Sequence, residues 1–404
     1  MINLRRHTNI ALAYFLLVAL LGLFLRLFFV VPIPANFRYV VHGHSHIALL
    51  GWVYLSLTTL IYKMYLSEEK YAAAYKRIFW FTQLTLLGML FTFPFTGYAM
   101  FSITFSTLFL FASYLMAWFI LKRTPARHRN RNSFKCIKAS LWYLVISSIG
   151  PWAVGGVMAT LGKTSIWYKM SIYFYLHFQY NAWFIFALCG ILLYFLEQRN
   201  ITPQKRHFQS FFKLLNVAVV LSFFLSVLWV EPHWIFYVLA GTGAVLQLFA
   251  FRKFFVMLKD LWKDKRLPFS PFQQNLLKIV GILLLGKILL QLLSGIPFFA
   301  ELAFTYINLV IGYLHWTFLG VVSISLFVFL ETAGLYRISK PAFWVYFGAF
   351  CVTEVLIFSK SIAIWLGLPL FADYYKLLAA ASSFFAIAIG IFLVKNILTK
   401  KTEY

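Results

Sequence analysis

Long apolar runs dominate the chain, and only short polar segments interrupt them. Runs able to form a helix of membrane-crossing length, about 20 residues, fall at roughly 9–31, 42–66, 77–97, 99–121, 139–160, 170–196, 213–231, 233–256, 274–296, 304–331, 341–359 and 374–395. Open strands cannot cross lipid because their backbone groups would go unpaired. The pattern therefore predicts an all-α integral membrane protein of about twelve transmembrane helices. The longest connections, near 122–138 and 257–273, are basic and too short to fold alone, so residues 1–404 read as a single polytopic membrane domain.

The placement of charge tests that count. With the N-terminus inside, 29 of the 36 Lys and Arg fall in cytoplasmic segments. Only Arg38, Lys163, Lys169, Lys360 and Lys376 fall outside, while Arg26 and Lys287 lie within spans. Adding or removing one span would invert this asymmetry downstream, so both termini are expected in the cytoplasm. Arg5, Arg6 and His7 before the first run superficially suggest a signal peptide. That run continues to Val31 without a small-x-small cleavage site and reads as a retained helix.

Composition agrees. The chain is 62% apolar, 21% aromatic and 12% charged, about half the charge of a soluble domain. A single water-soluble core of this size could not hide so much Phe, Leu and Ile. The net charge of +25 comes in bursts between apolar runs, a pattern that fits anionic membrane lipid and not nucleic acid. Cys136, Cys189 and Cys351 form no disulfide framework. No phosphate-cradling glycine loop occurs, which argues against an ATP-driven mechanism.

The nine histidines are the most informative polar residues. His7, His128 and His207 lie in basic segments and read as solvated. His42, His44 and His46 open the second span, His177 lies in the sixth, His233 opens the eighth and His315 lies in the tenth. The even-numbered spans all run outside to inside, so these six histidines collect at one outer depth. A weak repeat accompanies them: His46-Ile-Ala-Leu-Leu-Gly51-Trp52, His177-Phe-Gln-Tyr-Asn-Ala182-Trp183 and His315-Trp-Thr-Phe-Leu-Gly320-Val321. The histidines are 131 and 138 residues apart, four spans each time. Three four-helix repeats, roughly 9–121, 139–256 and 274–395, would form a pseudo-threefold bundle. The small residue after each histidine would leave room for a flat macrocycle or for close helix packing. An intramembrane histidine is costly and usually functional; the bland alternative is an interhelical hydrogen bond. His42 and His46 share a helix face, and His44 does not.

Twelve helices, histidines on the second, sixth and tenth, and a threefold repeat resemble subunit I of the haem-copper oxidases and nitric-oxide reductases. The likeness is topological over most of the chain and motif-level in four short stretches. It implies a low-spin, bis-His haem b held by His46, or by His42 or His44, and by His315. Tyr313 stands where the family places a histidine for its active-site haem, and reads either as a tyrosinate ligand or as an interface aromatic. A second haem would belong at that Tyr313 position, and a copper or iron centre is implied at His177, Glu231 and His233, with Glu-Pro replacing part of the family's His-His corner. Arg26 is expected to snorkel or to neutralise a haem propionate. The resemblance further implies a redox partner, quinol or cytochrome, and a bacterial inner membrane. Electron transfer, or reduction or sensing of nitric oxide or oxygen, is the expected role.

Lys287 and Glu354 lie near mid-membrane and read as a structural ion pair, a neutralised side chain or a proton pathway. Glu197 and Glu331 close the sixth and tenth spans and are expected to be solvated. The alternative function is a twelve-helix secondary transporter coupled through Lys287 and Glu354. It predicts a two-half repeat of broken helices, whereas the histidine repeat has a period of four spans.

Overall fold

A computed structural model describes residues 2–262 and 266–398, apart from the Asp260 side chain. Lys263, Lys265, Lys400 and Lys401, counted above among the cytoplasmic cations, lie outside the described residues. Twelve helices are long and apolar enough to cross a membrane. They are α1 (Leu4–Leu27), α2 (Phe37–Tyr65), α3 (Glu69–Thr96), α4 (Met100–Arg123), α5 (Asn132–Thr160) and α6 (Ile166–Glu197), followed by α7 (Lys205–Val230), α8 (Trp234–Lys259), α9 (Pro271–Leu293), α10 (Ile307–Thr332), α11 (Lys340–Trp365) and α12 (Tyr374–Leu398). The chain is thus an all-α, multi-pass membrane protein. Phe91, Ile282 and Val355 are 66–70% exposed, an arrangement suited to lipid and unsuited to water. α2 begins at Phe37, not near 42, because the Asn36 side chain accepts the Tyr39 N–H at 3.2 Å and starts the helix earlier. The three helix-2 histidines therefore lie inside the helix.

The chain groups into two compact units, residues 1–124 with 326–404 and residues 125–325. The first division falls between the first and second sequence repeats. The second falls inside α10, where an unbroken apolar run gives no sign of it.

In the first unit α1 packs on α2 and α12, α3 on α2 and α4, and α11 on α12. Phe15 of α1 stacks on Trp52 of α2 at 4.6 Å, and Phe327 packs against Trp52 and Phe392. α2 and α3 meet closely because Gly43 has no side chain: a Cβ there would lie 2.7 Å from Pro94 Cγ. In the second unit α5 packs on α6, α7 on α8, and α9 on the first part of α10.

α6 and α10 end alike. Asn200 and Gly334 take positive φ of 57° and 68°. The next residues, Ile201 and Leu335, return N–H bonds to Leu196 and Leu330 at 3.0 and 2.9 Å, closing each helix with a left-handed cap. At the α10 end, Lys63 Nζ bonds the Ala333 carbonyl and Arg5 Nε donates to the Gly334 carbonyl at 3.1 Å. Both cations sit where a helix C-terminus favours them.

Four expectations of solvation are corrected here. Glu197 is buried and accepts the Ser133 N–H at 3.0 Å and its hydroxyl at 2.5 Å. It thereby supplies an anion to the first turn of α5. Glu331 is half-buried and accepts the Ile338 N–H at 2.7 Å. His7 and His128 are buried as well; His7 stacks on Phe79 at 3.7 Å and bonds Tyr75 Oη at 3.3 Å.

Candidate functional site

The three repeat histidines occupy one local structure. Each ends an α-helical stretch and is followed at once by a π-helix: Ile47–Tyr54 after His46, Phe178–Trp183 after His177 and Trp316–Ser323 after His315. The first π residue makes the same bifurcated bond each time. Ile47 donates to the carbonyls of Gly43 and His44, Phe178 to Phe174 and Tyr175, and Trp316 to Gly312 and Tyr313. π-Helices account for well under 1% of residues and gather at functional sites. Three in register with a sequence repeat are therefore a feature of the repeat itself. The helices that carry them are also the most enclosed: 89% of the most apolar stretch of α2 and of α6 is buried and 67% of that of α10, against 33–50% in the other nine.

In the first unit, His46 is half-buried and stacks on Phe93 at 4.2 Å. Its Nδ1 donates to the His42 carbonyl at 2.9 Å, which fixes the neutral tautomer with a lone pair on Nε2. This is how proteins prepare an imidazole to bind a metal. His44 points to the other side, toward α1, and its Nδ1 meets the Val18 carbonyl at 3.1 Å. His42 shares the His46 face and lies against Tyr98 at 4.6 Å. The small residue of this repeat serves helix packing, since a Cβ on Gly51 would come within 2.9 Å of Tyr14. Arg26 is half-buried and in electrostatic reach of Glu354. Glu354 is buried, and neither carboxyl oxygen has a hydrogen-bond partner among the described residues.

In the second unit, the sixth-span histidine is tied at both ring nitrogens. His177 Nε2 donates to the Val219 carbonyl at 2.8 Å, and its Nδ1 lies 3.1 Å from Asn181 Nδ2. With Nε2 carrying the proton, Nδ1 accepts from the Asn181 amide. Asn181 turns its oxygen to Lys287 Nζ at 2.5 Å and also accepts from Tyr313 Oη at 3.3 Å. Lys287 donates again to Gln291 Oε1 at 2.8 Å and lies 5.5 Å from the centre of the Tyr313 ring. The Lys287 side chain is fully buried. Among the described residues of this unit, its neighbours are amide oxygens and a ring face, not a carboxylate.

Glu231 and His233 sit apart from that cluster. Glu231 adopts a left-handed φ of 48° and His233 caps the start of α8; both are exposed. Among the described residues no group of three or more His, Cys, Asp or Glu side chains could hold a metal ion, so the expected His177, Glu231 and His233 set is not assembled. His315 is half-buried at the start of its π segment, in the second unit, whereas His46 belongs to the first. Lys287 and Glu354 likewise belong to different units, each with the neighbours given above.

Sequence reasoning missed Asn181 and Gln291. Each stands four residues after a polar residue already singled out, His177 and Lys287, so the helical i,i+4 rule could have found both. No protein-family model and no curated protein matches the sequence.

Proposed function

We propose that the chain is a haem b-binding redox protein of the inner cell membrane, similar to subunit I of the haem-copper oxidases, with His46 and His315 as axial ligands. One observation supports this most: His46, at the head of a buried π segment, has Nδ1 fastened to the His42 carbonyl and Nε2 left as the lone-pair nitrogen. Neutral imidazole of that form is a standard haem-iron ligand. The family resemblance assigns His315 as the second ligand, and it stands at the head of the Trp316–Ser323 π segment as His46 does of its own. Arg26 is the cation of the first unit suited to a propionate. When bound, the haem supplies a one-electron iron couple. The role is then electron transfer from a quinol or cytochrome donor, or sensing of nitric oxide or oxygen.

The test is an absorption spectrum of the detergent-purified protein before and after dithionite. The expected result is a Soret band with sharp reduced α and β bands, abolished by His46→Ala or His315→Ala and kept in His44→Ala. A monodisperse but colourless protein after haem-replete expression overturns the reading.

A further inference from the structure

Two of the residues that the family resemblance assigns to a second redox centre, His177 and Tyr313, gather around a lysine, while Glu231 and His233 do not. His177 is the expected metal ligand and Tyr313 stands at the position of the family's active-site haem ligand; both bond to Asn181, which in turn holds Lys287. We propose that the Lys287 ammonium is the resident cation of this site, standing in place of a metal and leaving the chain with one redox centre. The inference rests on the haem reading above only for the word "one"; the identity of the cation is argued from the second unit alone.

Three features of the site carry it. First, neither nitrogen of His177 is available to a metal. Nε2 is committed to the Val219 carbonyl, which Ser222 Oγ also approaches at 3.3 Å. Nδ1 is committed to an amide that is itself oriented by Lys287. Freeing Nδ1 costs the buried Asn181 amide its acceptor, and freeing Nε2 leaves the Val219 carbonyl only the Ser222 hydroxyl at 3.3 Å.

Second, the acceptors suit an ammonium. Lys287 has three N–H bonds. Asn181 Oδ1 and Gln291 Oε1 take two of them at hydrogen-bonding distance, and the face of Tyr313 lies toward the cation. Third, the fold is built to bring these groups together. Asn181 lies inside the Phe178–Trp183 π segment, whose altered register sets its direction. On the other side, α9 is drawn against α10 where Trp316 donates to the Leu283 carbonyl at 2.7 Å and covers Gly286, the residue before Lys287. A Cβ on Gly286 would lie 2.9 Å from Trp316 Cζ2.

The consequence is chemical. A metal at this site would add a second electron store beside the haem, whereas an ammonium stores none. A chain with this site carries or senses single electrons.

The experiment uses full-length protein expressed with copper and iron in excess, purified in detergent and assayed for haem, total iron and copper against protein. The expected result is copper at background and iron equal to haem. Lys287→Met is expected to lower the thermal midpoint, while Glu231→Gln and His233→Ala leave both midpoint and metal content unchanged. Stoichiometric copper or non-haem iron in the wild-type protein, removed by His177→Ala, overturns the proposal whatever the haem content. A sample without haem and without metal removes the haem reading and leaves Lys287 as the resident cation.

Discussion

A single side chain here often does what several spans of sequence conceal. Glu197 lies 64 residues from Ser133 in the chain and yet holds both its N–H and its hydroxyl. Nothing in a terminal Glu followed by Gln-Arg-Asn tells it from a solvated one. His7 was obscured in the same way, by the Arg5-Arg6 pair before it, though it packs on Phe79 and Tyr75. Replacing Glu197 with Ala leaves the Ser133 N–H and hydroxyl buried without an acceptor. The expected cost is about 1.5–3 kcal/mol, the usual range for a hydrogen bond to a charged group, read as a lower thermal midpoint in detergent. A midpoint equal to that of the unmodified protein would show that the contact does not hold α5 to α6.

At the scale of elements, the twelve spans were legible because lipid demands long apolar runs, and the turn at Glu231-Pro232 because proline cannot continue the helix before it. The histidine repeat was legible as well. The π segments were not. A register shift shows in sequence when it moves a polar stripe, and Ile47–Tyr54 is apolar almost throughout, with no stripe to move. The same blindness hid the direction of Asn181. Gly43 offers a test of how tightly this region is set. Gly43→Ala would place a methyl 2.7 Å from Pro94 Cγ, an overpacking that costs about 1–3 kcal/mol and pushes the His42 and His46 face off α3. Thermal unfolding and, if haem is bound, the sharpness of the reduced α band should both report it. Gly348→Ala, which meets nothing within 4 Å, is the matched control.

The whole molecule raises the question of sidedness. The basic ends of the spans were read as cytoplasmic from charge alone. That reading makes residues 164 and 202 face opposite sides, since they follow α5 and α6. With Cys136, Cys189 and Cys351 replaced by Ala or Ser, Thr164→Cys should react with a membrane-impermeant maleimide from outside intact cells, and Thr202→Cys only after the cells are opened. The reverse pattern would turn the protein over in the membrane and place the six histidines at the inner depth. The division into two units was beyond the sequence for a plain reason. The second boundary cuts α10 at Ser325, where residues 321–330 carry no charge, proline or glycine to mark it.

The three π segments also speak to descent. A π turn closes on the fifth residue along where an α turn closes on the fourth, so it records an added residue in a helix. Finding it at one address in all three helices, four spans apart, is economical only if the addition came first and copying followed. The present sequences would then be three heirs of one four-helix ancestor that already carried both histidine and bulge. Distant kin of this chain should be sought with that insertion in place. In their alignments a gap after the histidine would mark an older branch, one that parted before the residue was gained.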